Sequence, residues 1–555
     1  MKRLNALALG VTLAWSAAGP GWAQSDANVE EVIVTGLRAT VQSAQDIKMD
    51  ADTIVDSIVG DDISALPDRS VTETLQRIPG VTIDRFVSRG DPEHFSGEGT
   101  GVAIRGLTQV RGEINGRDGF TANGGRSLSF EDVPPELLAG VDVYKSSTAD
   151  MIEGGLGGTV NLRTHMPFDF DEPMLAFTLT ANHQNFIEET TPGASVLYSN
   201  RWDTGVGELG FLVDLAYSEL EGRIDAVFNR PFFPYDDGGE TVYIPRGADW
   251  RTERTDRTRN GFYSALQLRP DERSEYFLTV FRSDYEFTWD EDAIFVDNDP
   301  LTVVPSADSV YDSRGVFIEG RLTDPTNGGI NMGSDIRVSS RESVTTDVSA
   351  GAEWTLSPTW FLSTDLQYVE ATTEALDSTV ATGLLAPYLD VRITDGPARI
   401  GTDVDYMSDP ANYYFAFTMD HQDDNEAKQI AWRTDAEWRP VGGADWLKRV
   451  KFGLRLTDMD TTLINTGYNW RAVIQPWMRS AGASPVMAPL PTEDDFGTGR
   501  PGARQHLRQL LPRRPAGARR GGGAEPFPGR GLSRQLLRDP RRRGAVLPVL
   551  LLHDG

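Results

Sequence analysis

The chain has 555 residues, 53 Lys+Arg against 82 Asp+Glu, and no cysteine. That length exceeds one ordinary domain, and a net charge of −29 works against binding to nucleic acid or anionic membrane surfaces. The missing thiols exclude disulfides, thiolate zinc sites and cysteine nucleophiles.

Residues 1–23 have the order of a secretory signal: Lys2 and Arg3, an apolar stretch from Leu4 to Ala18, then small residues at Gly21 and Ala23, with cleavage expected before Gln24. No later stretch reaches about 18 apolar residues, so a membrane location would require a β-barrel. Next comes a β-branched run in a polar segment: Glu30, Glu31, Val32, Ile33, Val34, Thr35 and Gly36. It reads either as an ordinary edge strand or as a strand free to add to a partner's sheet edge.

From Asp46 to His165 short strands and helices alternate with abundant Gly, which predicts a compact α/β unit. A helix is expected over about Asp68 to Ile78, stopped by Pro79-Gly80, followed by VTIDR, VAIRGL and VDVYK as strands. In EGGLGGTVNL, Gly154, Gly155, Gly157 and Gly158 permit close backbone approach, with plain turns as the alternative.

From about Met174 the pattern changes to period-two alternation. Leu209, Phe211, Val213, Leu215 and Tyr217 share one face; Trp432, Thr434, Ala436 and Trp438 oppose Arg433, Asp435 and Glu437; Val450, Phe452, Leu454 and Leu456 oppose Lys451, Gly453 and Arg455. Greasy outside and polar inside is the signature of a transmembrane strand, although a soluble sandwich also alternates. Loop lengths separate the two. Short turns are expected near Gly205 to Gly207, Arg269 to Glu275, Ser357 to Pro358 and Arg439 to Lys448, and long polar connections over Gly222 to Thr258, Tyr285 to Glu342 and Ala371 to Ala427. The expected fold class is therefore mainly β: an antiparallel transmembrane β-barrel preceded by a small α/β domain.

After Gly499 the composition shifts, with 13 Arg, no Lys and only Glu525, Asp539 and Asp554 acidic. Residues 500–555 read as an aberrant Arg/Gly/Pro-rich tail, the product of a shifted reading frame, with a disordered basic arm as the alternative. No HExxH, GxSxG or phosphate-loop pattern is present, and the acidic runs lack calcium-loop spacing, so neither catalysis, a cofactor nor a metal is expected.

The segment EEVIVTG resembles a TonB box. The run DDISALPDRSVTETLQRIPGVTIDR, then VAIRGL, then PPELLAGVDVYKSSTADMIEGGLGGTVNL resembles the plug of TonB-dependent outer-membrane receptors, and is similar to a proteobacterial subfamily often associated with oligosaccharide uptake. The resemblance implies a TonB-box segment over 24–45, a plug over 46–165 and the N-terminal part of a receptor barrel over 170–499. It also implies TonB with its inner-membrane energising complex, outer-membrane lipid and an extracellular ligand as partners. Arg105, Arg126, Glu153 and the glycines 154, 155, 157 and 158 become candidates for contact between plug and barrel, with solvated surface charges as the alternative. Candidate ligand contacts are Phe120, Asn123 and Arg126 at the plug apex, and Phe232, Tyr235, Trp289 and Asp290 in the loops. Aromatic faces beside carboxylates suit sugar rings, while Asp290, Glu291, Asp292, Asp297 and Asp299 would repel an anionic ferric chelate; a ferric-siderophore receptor is the alternative. About nine strands fit into residues 174 to 460, roughly 32 residues each, whereas barrels of this type close with about 22 strands. The expectation is a truncated barrel, with a non-functional plug-plus-partial-barrel product, a soluble plug module and a passive porin or adhesin as rival readings.

Overall fold

Ser70 starts the α-helix at the centre of the inner domain: its side chain accepts from the Glu73 amide at 3.3 Å, while the Glu73 carboxylate accepts from the Arg69 amide at 3.0 Å. This helix, α1 (Val71–Leu75), is shorter than expected, because the cap falls at Ser70 and Pro79 restricts Ile78; the chain reverses at Gly80, whose φ is 78°. The computed structural model describes residues 44–49, 51–60, 68–87, 94–123, 128–393, 398–440 and 447–473. The expected signal, Glu30–Gly36, Arg126 and the tail after 499 lie outside the described residues.

The inner domain carries β1 (Val55–Val59), β2 (Val81–Asp84), β3 (Gly101–Ile104), β4 (Val110–Ile114), β5 (Arg117–Asp118), β6 (Leu138–Tyr144) and β7 (Gly158–Thr164). Five of these form a mixed sheet in the order β1-β6-β7-β4-β5, with β4 parallel to β7, and β2 pairs with β3. With one five-residue helix, a helical stretch over 44–49 and short 3-10 turns, the described part of the domain is richer in strand than its sequence pattern suggests.

Around it curls a wall of long antiparallel strands: β8 (Met174–Gln184), β9 (Glu189–Thr204), β10 (Gly207–Asn229), then, past the hairpin β11 (Phe232–Asp237) and β12 (Glu240–Pro245), β13 (Gly247–Asp271) and β14 (Ser274–Asp297). After the short strands β15 (Val304–Pro305), β16 (Val310–Tyr311) and β17 (Phe317–Thr323) come β18 (Ile330–Ser357) and β19 (Trp360–Ala386). A further insertion, β20 (Leu389–Arg392), β21 (Arg399–Gly401) and α2 (Val404–Ser408), precedes β22 (Tyr414–Trp438) and β23 (Val450–Asn465). Every wall pairing from β8 to β23 is antiparallel, so the first and ninth strands run the same way and cannot close on each other antiparallel. Closure in that pattern takes an odd number of further strands.

The alternation of the sequence is realised on the outer surface. Phe177, Leu215, Leu266, Leu278, Leu366, Ile430 and Leu456 are all exposed, a continuous band that water would not tolerate and lipid would. At the rim of the short turns the band ends in aromatics: Trp360 lies 6.3 Å from Trp438 and 6.4 Å from Phe452, and Tyr276 lies 6.0 Å from Trp354. At the other rim stand Tyr217 and Tyr368, each hydrogen-bonded to an acid two residues on. Trp360 to Tyr368 spans eight residues, about 26 Å of strand, close to the height of an outer-membrane apolar band.

The expected long polar connections are shorter than their sequence suggests, because β10, β13, β14, β18, β19 and β22 continue well past the band. Beyond the band both faces are polar, so the period-two contrast fades although the ladders persist. What remains of three connections is not loose. Strand β17 from the second pairs with β20 from the third, the Tyr243 amide of the first donates to the Gly315 carbonyl of the second at 2.8 Å, and Ile244, Phe317, Leu322, Leu389 and Tyr413 share one apolar core. The three connections form a single hood.

A charge in the band should be costly and one above it cheap. Leu366→Arg is expected to lose about 2–4 kcal/mol of stability in lipid vesicles and Thr372→Arg about 0–1, measured by urea unfolding followed on gels; equal losses would contradict the assignment of the band.

Candidate functional site

The inner domain is seated by a core it does not complete alone. Val71, Leu75, Ile104, Val141, Val143, Val160 and Leu162 pack in one cluster with wall residues Leu212, Ala216, Tyr263, Ala265 and Phe281. Two wall glycines admit this approach: a Cβ on Gly261 would lie 2.7 Å from Leu137 and 2.8 Å from Pro134, and one on Gly210 would lie 2.5 Å from Pro167. Phe120, 1% exposed, packs similarly with Ala122 against Val369, Ala371 and Ala427 of the wall.

Charge fixes the seat. Arg259 Nη2 donates to Glu98 Oε2 at 2.6 Å and its Nε to the Glu131 carbonyl at 2.7 Å, while Arg257 Nε lies 3.3 Å from the same Glu98 oxygen. Arg341 Nη2 donates to Asp132 Oδ1 at 3.0 Å and stands 3.8 Å from Glu131. Three inner-domain carboxyls thus face three wall guanidiniums, and Arg259 and Glu98 are each only 1% exposed. Burial pushes the Glu131 and Asp132 carboxyls upward, with Asp132 adding for Glu131, and the Arg341 and Arg259 guanidiniums act the other way. The wall braces its cations with rings: Arg257 lies over Phe287 at 4.4 Å, and Arg259 and Arg341 each over Tyr285 at 5.1 Å.

A second clasp lies at the short-turn rim. Lys451 Nζ donates to Asp150 Oδ2 at 2.6 Å, Arg433 Nη2 to the Asp150 carbonyl at 3.0 Å, and Arg449 pairs with Asp52 just before β1. Burial opposes the Asp150 carboxylate, but hydrogen bonds from Lys451 and Thr148 outweigh it and hold its pKa below the usual range. Nearby, burial pushes the Glu113 carboxyl up to about 7 against the pull of Arg111. A cavity of about 2390 Å³ opens beside the clasp between residues 145–156 and the inner faces of β22 and β23.

At the opposite end, His94 meets the wall: Arg251 Nη1 is 2.7 Å from His94 Nε2 and donates to Glu291 Oε2 at 3.2 Å, and the His94 and Trp289 rings lie 5.2 Å apart. Oxygens of Glu253 and Glu291 and a nitrogen of His94 lie within 4.8 Å of one another, as ligands to a cation would, but the guanidinium of Arg251 already supplies positive charge there.

These positions differ from the sequence expectations for contact with the wall. Arg105 donates to the Lys145 carbonyl at 3.2 Å, and the Glu153 carbonyl accepts from Arg111 at 2.5 Å, both inside the inner domain. The glycine run also approaches its own domain: a Cβ on Gly155 would meet Gly158, on Gly157 Leu107, and on Gly158 Tyr144, while Gly154, at φ 119°, faces Arg111. The strand-turn-strand geometry of β6 and β7, not the wall, demands small residues there. Among the expected ligand contacts, Asn123 is half-buried, Phe232 and Tyr235 pack against the hood core, and Trp289 is 5% exposed beneath His94 and Arg337. Asp290 faces outward, 3.9 Å from Arg254. They do not converge. The signal missed was WRTERTDRTRNGF, which sets Arg251, Arg257 and Arg259 at one parity of a strand, hence on one face.

A domain seated on ion pairs against a curled antiparallel sheet with an apolar outer band is a plug-and-wall architecture. Residues 47–159 match the TonB-dependent Receptor Plug Domain. No curated protein matches the sequence. Among solved structures the chain is similar to the unliganded ferric citrate transporter FecA, at 12% identity over 76% of this chain and 75% of that one, with a TM-score of 0.29. It is similar too to the siderophore receptor PirA from Acinetobacter baumannii, at 10% identity, 76% and 80% coverage and a TM-score of 0.27. A third is a double mutant of the Serratia marcescens hemophore receptor HasR, solved with its hemophore HasA and heme, at 11% identity, 76% and 74% coverage and a TM-score of 0.25.

Removing one member of the central cluster strands a buried charge. Glu98→Gln is expected to weaken plug docking by about 3–5 kcal/mol, and adding Arg259→Met should restore part of it; protease release of the plug in isolated membranes reads both. Additive losses would show that the two groups do not act as a pair.

Proposed function

We propose that this receptor takes up a neutral oligosaccharide, with Glu30 to Gly36 as the strand that TonB pairs with. The observation that carries the choice of ligand is the charge of the mouth. The three connections forming the hood, residues 230–246, 298–329 and 387–413, contain 13 Asp and Glu against 6 Arg and no Lys. A field of that sign discourages an anionic ferric chelate and leaves a neutral polyol indifferent. The cargo would be held between hood and plug apex; its tighter binding to one plug arrangement would favour release of the coupling segment, which adds to the TonB sheet edge.

The units we assign are a signal at 1–23, the TonB-box segment at 24–45, the plug at 46–165, the barrel strands at 170–499 and an aberrant tail at 500–555. Among the described residues both sheet edges, β8 and β23, are unpaired. Exposed ladder groups in lipid cost several kcal/mol each, so the transporting form pairs these edges with further strands.

Substituting Ile33→Pro removes a backbone donor from the strand offered to TonB. Cells carrying that variant in a transport-competent receptor should bind radiolabelled oligosaccharide at the surface as before but fail to accumulate it. Unchanged accumulation would refute the coupling segment, and saturable uptake of a ferric catecholate with none of sugar would refute the ligand class.

A further inference from the structure

The plug apex has two faces, and docking accounts for only one. Phe86 and Phe95 form an isolated antiparallel bridge, closed by bonds from the Val87 amide to the His94 carbonyl at 2.9 Å and from the Ser96 amide to the Arg85 carbonyl at 3.0 Å. Because side chains alternate along such a pair, Val87, His94 and Ser96 turn one way and the two phenylalanines the other. The first set is buried in the wall: Val87 packs with Tyr285, Phe287 and Trp289, His94 meets Arg251, and Ser96 accepts from Arg257 at 2.7 Å. The second set stays half-open. Phe86 and Phe95 stack at 5.6 Å, and Phe95 stacks at 5.4 Å and 3° on Phe228, a half-buried wall residue near the end of β10. Arg251 lies 5.7 Å from the Phe228 ring centre, and Arg230 Nε donates to Asp249 at 3.1 Å beside it on the neighbouring strand.

We infer that the ladder Phe86, Phe95 and Phe228 is a sugar-binding subsite that receives a pyranose ring of the incoming oligosaccharide. The inference rests on the uptake reading above and deepens it. Three features carry it together. The rings are held rigid by a hydrogen-bonded bridge, so little order is lost on binding. Their open surface is uncharged and aromatic under an acidic hood, which suits the C–H face of a neutral sugar, while Arg230, partly exposed and held by Asp249, stands beside it for hydroxyls. The ladder also joins plug to wall, so a ring resting on Phe95 and Phe228 touches both bodies and discriminates between plug arrangements, which coupling requires. The ligand positions expected from sequence lack this property: Phe120 and Trp289 are enclosed, and Phe232 and Tyr235 belong to the hood.

The test is calorimetric titration of the full chain in detergent with linear tetrasaccharides of glucose, xylose and mannose, and with a ferric catecholate. At least one sugar should bind, Phe95→Leu and Phe228→Leu should each weaken it roughly fivefold to tenfold, and Phe228→Tyr, which keeps the ring, should restore affinity. Protease release of the plug, unchanged in the leucine variants, shows that the seat is intact. Sugar binding that is indifferent to both leucine variants, or lost equally in Phe228→Tyr, overturns the subsite and leaves the uptake reading standing. Absence of sugar binding overturns both.

Discussion

Arg257, Arg259 and Arg341 project into the interior of the wall, where a guanidinium is costly to bury without a partner. The plug supplies Glu98, Glu131 and Asp132 at matching heights, and the pairing determines where it sits. Apolar packing contributes the area: Leu212, Tyr263 and Phe281 finish a core that the plug alone leaves open. That contact is nearly indifferent to a small rotation, whereas a bidentate or shared ion pair is not. Seat and orientation thus come from different forces.

The same division suits a transporter. A plug held by hydrophobic area alone could slide, and one held by charge alone would be weakened by salt. Here the central cluster is dry and the clasp of Asp52 and Asp150 with Arg449, Lys451 and Arg433 is partly wetted. The wetted clasp lies at the rim nearest the start of β1. The aromatic ladder of Phe86, Phe95 and Phe228 lies at the far end.

Much of this was legible in the sequence, and the limits have physical causes. Alternation identified the lipid face at Leu209 to Tyr217 and Phe452 to Leu456 because lipid demands apolar residues at every second position, and β10 and β23 place them outward as read. The strand extensions beyond the band escaped notice because neither face there meets lipid, leaving hydrogen bonding without a composition contrast. The glycine run was recognised as a close approach but given the wrong neighbour: sequence reveals that Gly158 needs space, not that Tyr144 takes it. The ion pairs were expected in kind but placed on Arg105 and Glu153, since charge complementarity across more than 100 residues leaves no local spacing to read. The hood is the extreme case, its core assembled from three connections that carry little pattern individually.

The central claim, that buried carboxylate and guanidinium pairs lock the plug to the wall, is tested most directly by hydrogen–deuterium exchange on the folded chain in detergent. The account predicts that the stretches holding Glu98, Glu131 and Asp132 exchange as slowly as β13 and β14 and far more slowly than residues 148–156. Exchange of those stretches as fast as that exposed loop would contradict it.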